Sequence, residues 1–141
     1  MKILLAADGS EYSLKAAAFL ASHPGWLKDV PKLYVHTVHP PVPYAGAAAT
    51  VGKKVVDDYY AQECKAALAP VCAALTAAGV PHEESYSVGD IAGEIRDFVA
   101  RNGVDLVVIG SHGRGALANV ALGSVATKLI AMLQVPVLIV R

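Results

Sequence analysis

The chain has 141 residues, 55% of them apolar and 17% charged, which suits one globular domain with a substantial core and excludes an intrinsically disordered chain. Twelve Lys plus Arg offset twelve Asp plus Glu, so the formal net charge is zero. That argues against the broad basic footprint of a nucleic-acid binder, while a small local phosphate site stays open. No stretch reaches the ~18 to 20 apolar residues of a membrane span. The N-terminal MKILLAAD breaks at Asp8, too early for a signal peptide. The expectation is a soluble, cytoplasmic protein with one domain over 1–141.

The apolar run 2–7 (KILLAA) reads as a buried strand, because burial on both sides removes alternation. Asp8-Gly9-Ser10 ends it, and Ser10 is a candidate N-cap for a helix over 11–22. Leu14, Ala17, Ala18 and Ala21 recur at helical spacing there, and His23-Pro24-Gly25 stops it. Residues 33–38 (LYVHTV) form a second strand, rich in β-branched and aromatic side chains. Residues 39–52 hold three prolines and two glycines and read as an irregular surface loop. A long helix over 53–78 follows, closed by Gly79, and Pro70 inside it is expected to kink or divide it. Cys64 and Cys72 sit eight residues apart on that helix. At helical rise this is roughly 12 Å, too far for a disulfide, so both read as small core hydrophobes.

Residues 83–88 give a weaker third strand. Gly89-Asp90 opens a helix over 91–101 with Ile91, Ile95, Phe98 and Val99 as its apolar face. Residues 104–110 (VDLVVIG) form a fourth strand, 124–133 a helix, and 135–140 (VPVLIV) a fifth strand. Strict β-α alternation implies a parallel sheet with helices on both faces and right-handed crossovers. Pro136 cannot donate to a ladder, which places the last strand at an edge. An apolar edge invites pairing, so a homodimer through 135–141 is expected.

The most informative segment is 110–124. It starts where a buried strand ends and finishes where a helix begins. Gly110 and Gly113 suit close backbone approach or positive φ, and Gly123-Ser124 lies at a helix N-terminus that attracts anions. The same glycines could serve only as turns, and Ser124 only as a cap. A Walker A loop fails for want of its lysine. Gly113-Arg114-Gly115-Ala116-Leu117-Ala118 fits a loose dinucleotide fingerprint, but it follows the fourth strand and has no acidic partner about 20 residues on. Asp8, at the end of the first strand, either accepts hydrogen bonds from a ribose or caps the following helix with Ser10. His112 is a candidate general base or a solvated loop residue. Arg114 is a phosphate partner or a surface charge. His36, His39 and His82 have no metal-ligand spacing, and no Ser-His-Asp or Cys-His set assembles from sequence order.

Asp8-Gly9-Ser10, Val38 at the end of the second strand, and Gly110-x2-Gly113-x9-Gly123-Ser124 together resemble the ATP-binding branch of the universal stress protein family. The resemblance covers essentially the whole chain. It implies a flavodoxin-like (adenine nucleotide alpha hydrolase-like) five-stranded parallel sheet of order 3-2-1-4-5. It implies that Asp8 contacts the ribose, that Ala7 and Val38 line the adenine pocket with the Val38 backbone reading the base edge, and that Ile109 and Gly110 flank the ribose. Gly113, Arg114, Gly123, Ser124 and Val125 would then hold the phosphates, largely through backbone N–H groups. The implied function is an ATP-dependent regulatory module in stress responses. A slow ATP hydrolase with Mg²⁺ at the phosphates, drawing on Arg114, Lys128 and His112, is one alternative. A nucleotide-free dimeric interaction protein is the other.

Overall fold

Alternation along the central strands decides which side chains face which layer. The computed structural model describes residues 1–27, 32–43, 45–115 and 121–141. Its strands are β1 (Lys2–Ala6), β2 (Lys32–His39), β3 (Glu83–Val88), β4 (Leu106–Gly110) and β5 (Val137–Val140). They form one sheet of order β3-β2-β1-β4-β5, with every neighbouring pair parallel. Leu4 is in register with Tyr34 on one side and Val107 on the other, so β1 is central and buried on both faces.

The helices are α1 (Glu11–Ser22), α2 (Pro24–Leu27), α3 (Ala45–Val51), α4 (Lys53–Ala77), α5 (Ile91–Asn102) and α6 (Ser124–Met132). Ile3, Leu5, Val35 and Val108 project to one face, against Ala16 and Leu20 of α1 and Leu68, Val71 and Leu75 of α4. Leu4, Tyr34, Val107 and Ile109 project to the other, against Ile95, Phe98 and Val99 of α5 and Leu129 of α6. The predicted flavodoxin-like layout is therefore the observed one. The chain leaves β1 through α1 for β2 on one side, and reaches β4 through α5 on the other. The strand order reverses between β1 and β4, which opens a crevice at their carboxyl ends.

Several local expectations change. The buried face of α1 is Ser13, Ala16, Ala17 and Leu20, while Leu14 and Ala18 are exposed. The reason is close approach: a Cβ at Gly110 would lie 2.6 Å from Tyr12 Cβ, so α1 sits tightly on β4 and small side chains fill the contact. The 39–52 segment is not wholly irregular, since α3 occupies Ala45–Val51 and the Val42 N–H donates to Tyr60 Oη at 2.9 Å. Pro70 does not divide α4, which runs unbroken from Lys53 to Ala77. Pro70 is on the exposed side, where water can reach the carbonyl that its missing N–H leaves behind.

Other features match. Ser10 caps α1, its Oγ accepting the Ser13 N–H. Gly103 closes α5 in the left-handed region at φ 62. β5 is an edge strand, and the carbonyl of Pro136 accepts the Val107 N–H at 3.0 Å, so the proline costs the ladder nothing. Cys64 and Cys72 are free thiols, and burial pushes both up, Cys72 to about 11. Among the described residues, no helix is long and apolar enough to cross a membrane.

Candidate functional site: a strand-end cavity with an apolar and a polar half

A cavity of about 350 Å³ lies at the carboxyl ends of β1, β2 and β4. That volume is in the range of small-molecule sites. Its apolar half lies on the α5/α6 face, walled by Val38, Ile91, Ile95, Ile109 and Val125. Its polar half is built from Asp8, Ser111, Gly113 and the start of α6. Every predicted site residue except Arg114 borders this cavity, so one crevice collects Ala7, Asp8, Val38, Ile109, Gly110, Gly113, Gly123, Ser124 and Val125.

Strand alternation fixes which way the Val38 backbone faces. The Ala7 N–H donates to the His36 carbonyl at 2.9 Å, and β1 pairing ends there. On the opposite side, the Gly89 N–H bonds the His39 carbonyl. Even-numbered main-chain groups at this end of β2 therefore face β1, and odd-numbered ones face β3. The next even position is Val38. Its N–H and C=O open beyond the end of β1, onto the apolar half of the cavity. Gly9 turns the chain away at φ 77, and it needs to be glycine on steric grounds too, because a Cβ there would sit 2.9 Å from the Ala67 carbonyl.

At the polar end, α6 starts with Gly123 as N-cap and no side-chain cap. The Gly123 N–H donates to the Ser111 carbonyl at 2.7 Å, and the first helical bond runs from the Thr127 N–H to the Gly123 carbonyl. The N–H groups of Ser124, Val125 and Ala126 thus belong to the first turn, where a helix supplies no acceptor and the dipole favours an anion. Ser124 is the first helical residue rather than the cap. Neither Gly110 nor Gly113 has positive φ. Gly110 is required for the packing of α1. Gly123 lets the loop close on itself, since a Cβ there would lie 3.1 Å from the Ser111 carbonyl.

Asp8 joins the two halves. Its Oδ1 accepts the Ser10 N–H at 2.9 Å and the Ser13 hydroxyl at 2.7 Å. Its Oδ2 accepts the Arg114 N–H at 3.1 Å. Burial alone would push the carboxyl up, but the bonds from Ser10, Ser13 and Arg114 together outweigh it and hold Asp8 below its ordinary value. Asp8 is therefore an ionised acceptor held at the start of α1 and on the wall of the cavity. The Arg114 side chain lies over Gly9, where a Cβ would be 2.7 Å from Nη2, and among the described residues Arg114 meets the site through its N–H on Asp8.

Two contributors had no part in the sequence reading of the site. Ser13 donates to Asp8 Oδ1 and accepts the Asp8 N–H at 3.0 Å, a reciprocal pair that the i, i+5 spacing would suggest once a helix is known to begin between them. His36 forms part of the cavity lining, with Nδ1 2.9 Å from Ser85 Oγ, Nε2 3.1 Å from Ser87 Oγ, and its ring against Phe98. Its signal was a histidine inside an apolar strand, beside a third strand that offers Ser85 and Ser87 at alternate positions. His112 packs against Tyr12 with ring centroids 5.1 Å apart and lies 3.0 Å through Nδ1 from Ser111 Oγ. The dinucleotide-like spacing runs to Ala118, and 116–120 lie outside the described residues.

A cavity at the switch point of the sheet, with an uncapped helix start and a half-buried carboxylate on its wall, marks a doubly wound α/β protein. The profile of the universal stress protein family matches residues 1–141, and the chain belongs to that family. It is 30% identical over 141 residues to universal stress protein MJ0531 of Methanocaldococcus jannaschii, covering 99% of this chain and 81% of that one. It is 31% identical over 140 residues to a universal stress protein of Thermus aquaticus, covering 99% and 97%. Among solved structures, UspA from Lactobacillus plantarum superposes with TM-score 0.79 at 20% identity, over 100% of this chain and 97% of that one. A universal stress protein in complex with cAMP superposes with TM-score 0.68 at 25% identity, over 100% and 96%.

Proposed function

We propose that this chain is an ATP-binding regulatory module whose nucleotide sits in the strand-end cavity. The observation that carries the reading is the division of that cavity. An apolar half bounded by the Val38 backbone suits an adenine, an ionised Asp8 at the middle suits a ribose, and the uncapped start of α6 suits phosphates. The solved family member in complex with cAMP supports an adenine nucleotide as the ligand class. In this reading Ala7, Val38 and Ile109 enclose the base, Asp8 and Gly110 flank the ribose, and Gly113, Gly123, Ser124 and Val125 face the phosphates.

The residues present do not build a separate metal cage. No three of the described His, Cys, Asp and Glu residues converge on a cation, and both Asp8 oxygens already accept hydrogen bonds. Mg²⁺ would enter as the companion of the phosphates, held by their oxygens and water. The stress-response role follows from family membership, with ATP shifting a conformation or a partner affinity. The edge strand β5 supports a homodimer as the working assembly.

The test is chemical identification of nucleotide released from purified, heat-denatured protein. An adenine nucleotide near one per chain supports the reading. Empty protein that also fails to bind added ATP would leave a nucleotide-free interaction domain, and steady ATP turnover lost in His112→Ala would move the assignment to a hydrolase.

A further inference from the structure

We propose that the outer face of the first turns of α4 is an interface between two copies of this chain, packed antiparallel about a two-fold axis. The buried residues of α4 are Cys64, Ala67, Leu68, Val71 and Leu75, and they set the side that lies on the sheet. The turns from Lys53 to Glu63 contribute no buried residue, so roughly 16 Å of helix runs beyond the core. Val55 stands nine residues before Cys64, and Tyr59 nine before Leu68. Nine residues are about two and a half turns, so Val55 and Tyr59 face away from the sheet. They are 57% and 43% exposed, and their i, i+4 spacing makes them one apolar strip. One side of the Tyr59 ring rests edge-on against His39, with centroids 5.7 Å apart, which holds it ready for contact.

Charge order selects a second copy as the occupant. Lys54 and Asp58 lie along one flank of the strip and pair with each other at 2.8 Å. Both are well exposed, so that pair holds little by itself. In two antiparallel helices the same flank of each faces the other, with the order of residues reversed. Lys54 of one copy then stands opposite Asp58 of the second copy, and Asp58 opposite Lys54. Val55 meets Tyr59 in the same reciprocal way. Every contact occurs twice, as an isologous interface requires. This face is separate from the β5 edge, because α4 lies over β2 and β3 at the other side of the sheet. The strip is small, so the association belongs to the weak class of interfaces.

Sedimentation equilibrium of the full chain, at high concentration and low ionic strength, is the test. Lys54→Asp makes the flank acidic and Asp58→Lys makes it basic. Each variant alone opposes like charges and should associate at least about tenfold more weakly than wild type. An equimolar mixture of the two variants opposes Asp to Lys at both positions and should recover wild-type association or exceed it. Val55→Asp changes an exposed side chain, so it should weaken association to a similar degree with a thermal midpoint close to wild type. Pairing through β5 is untouched by these substitutions and forms a constant background. Identical sedimentation profiles for wild type, the variants and the mixture overturn the proposal. Weakening in both charge variants that the mixture does not repair also overturns it.

Discussion

His36 makes the stability of this fold depend on pH between about 6.5 and 4. The ring is 2% exposed, lies against Phe98, and has its nitrogens beside Ser85 and Ser87. Burial is the main reason that its pKa falls to about 4 from an ordinary 6.5; Glu94 pulls it up and Arg101 pushes it down, both by smaller amounts. The unfolded chain therefore binds a proton at this residue between pH 6.5 and 4, and the folded chain does not. Stability is full above pH 6.5 and is lost as pH falls toward 4. The slope approaches 1.4 kcal/mol per pH unit, and the loss between pH 7 and pH 5 is about 2 kcal/mol. Asp8 does not blur this window, because its depressed pKa makes its own contribution vanish only below the ordinary carboxylate range. The assay is urea unfolding at pH 7, 6 and 5 for wild type and His36→Gln. The variant starts less stable, having lost packing on Phe98, but its stability should change by about 2 kcal/mol less over the same range. Parallel pH profiles for the two proteins would refute the assignment of a neutral, buried His36.

Three other substitutions or measurements follow from the same geometry. Gly110→Ala forces a methyl to within 2.6 Å of Tyr12 Cβ and 2.8 Å of its carbonyl carbon, so α1 must shift; the expected cost is about 2 to 3 kcal/mol in chemical unfolding, and wild-type stability would contradict the close approach. Gly113→Val forces its Cβ to within 2.8 Å of Asp8 Oδ2 and its side chain into the cavity; a lowered thermal midpoint and at least a tenfold loss of ATP affinity in the folded variant are expected, whereas wild-type affinity would refute the cradle. In sedimentation at high concentration, the exposed edge of β5 predicts a homodimer, and a strictly monomeric species would remove that strand as an interface.

The layers of the fold were readable because two-sided burial leaves a direct mark on composition. β1 and β4 are unbroken apolar runs, and the stops at Asp8-Gly9, Asn102-Gly103 and Gly79 are turn chemistry that any reading finds. The phase of α1 was not readable. A hydrophobicity ranking puts Leu14 above Ser13 and Ala16, yet the packing demanded small residues beside Gly110, and that demand comes from a strand almost a hundred residues away. Prolines in 39–52 concealed α3, whose Ala-rich segment favours a helix once the prolines are behind it.

At the site, the sequence pointed to residues that border one cavity, but not to the contacts they make within the fold. Gly110 and Gly123 looked like ligand contacts from spacing alone, yet each is also fixed by an internal contact, with Tyr12 and with the Ser111 carbonyl. Arg114 looked like a phosphate clamp because it is a cation in a glycine loop. Its N–H donates to Asp8, and backbone donors of that kind carry no side-chain signature. Ser13 and the Ser85–His36–Ser87 arrangement depend on helix phase and strand register, which exist only once the sheet is assembled.

Calorimetric titration of ATP into nucleotide-stripped protein tests the central claim most directly. One saturable site per chain, weakened at least tenfold by Gly113→Val, is the predicted result. No saturable heat in the folded wild-type protein, with no shift of its thermal midpoint at millimolar ATP, would contradict a nucleotide site in this cavity.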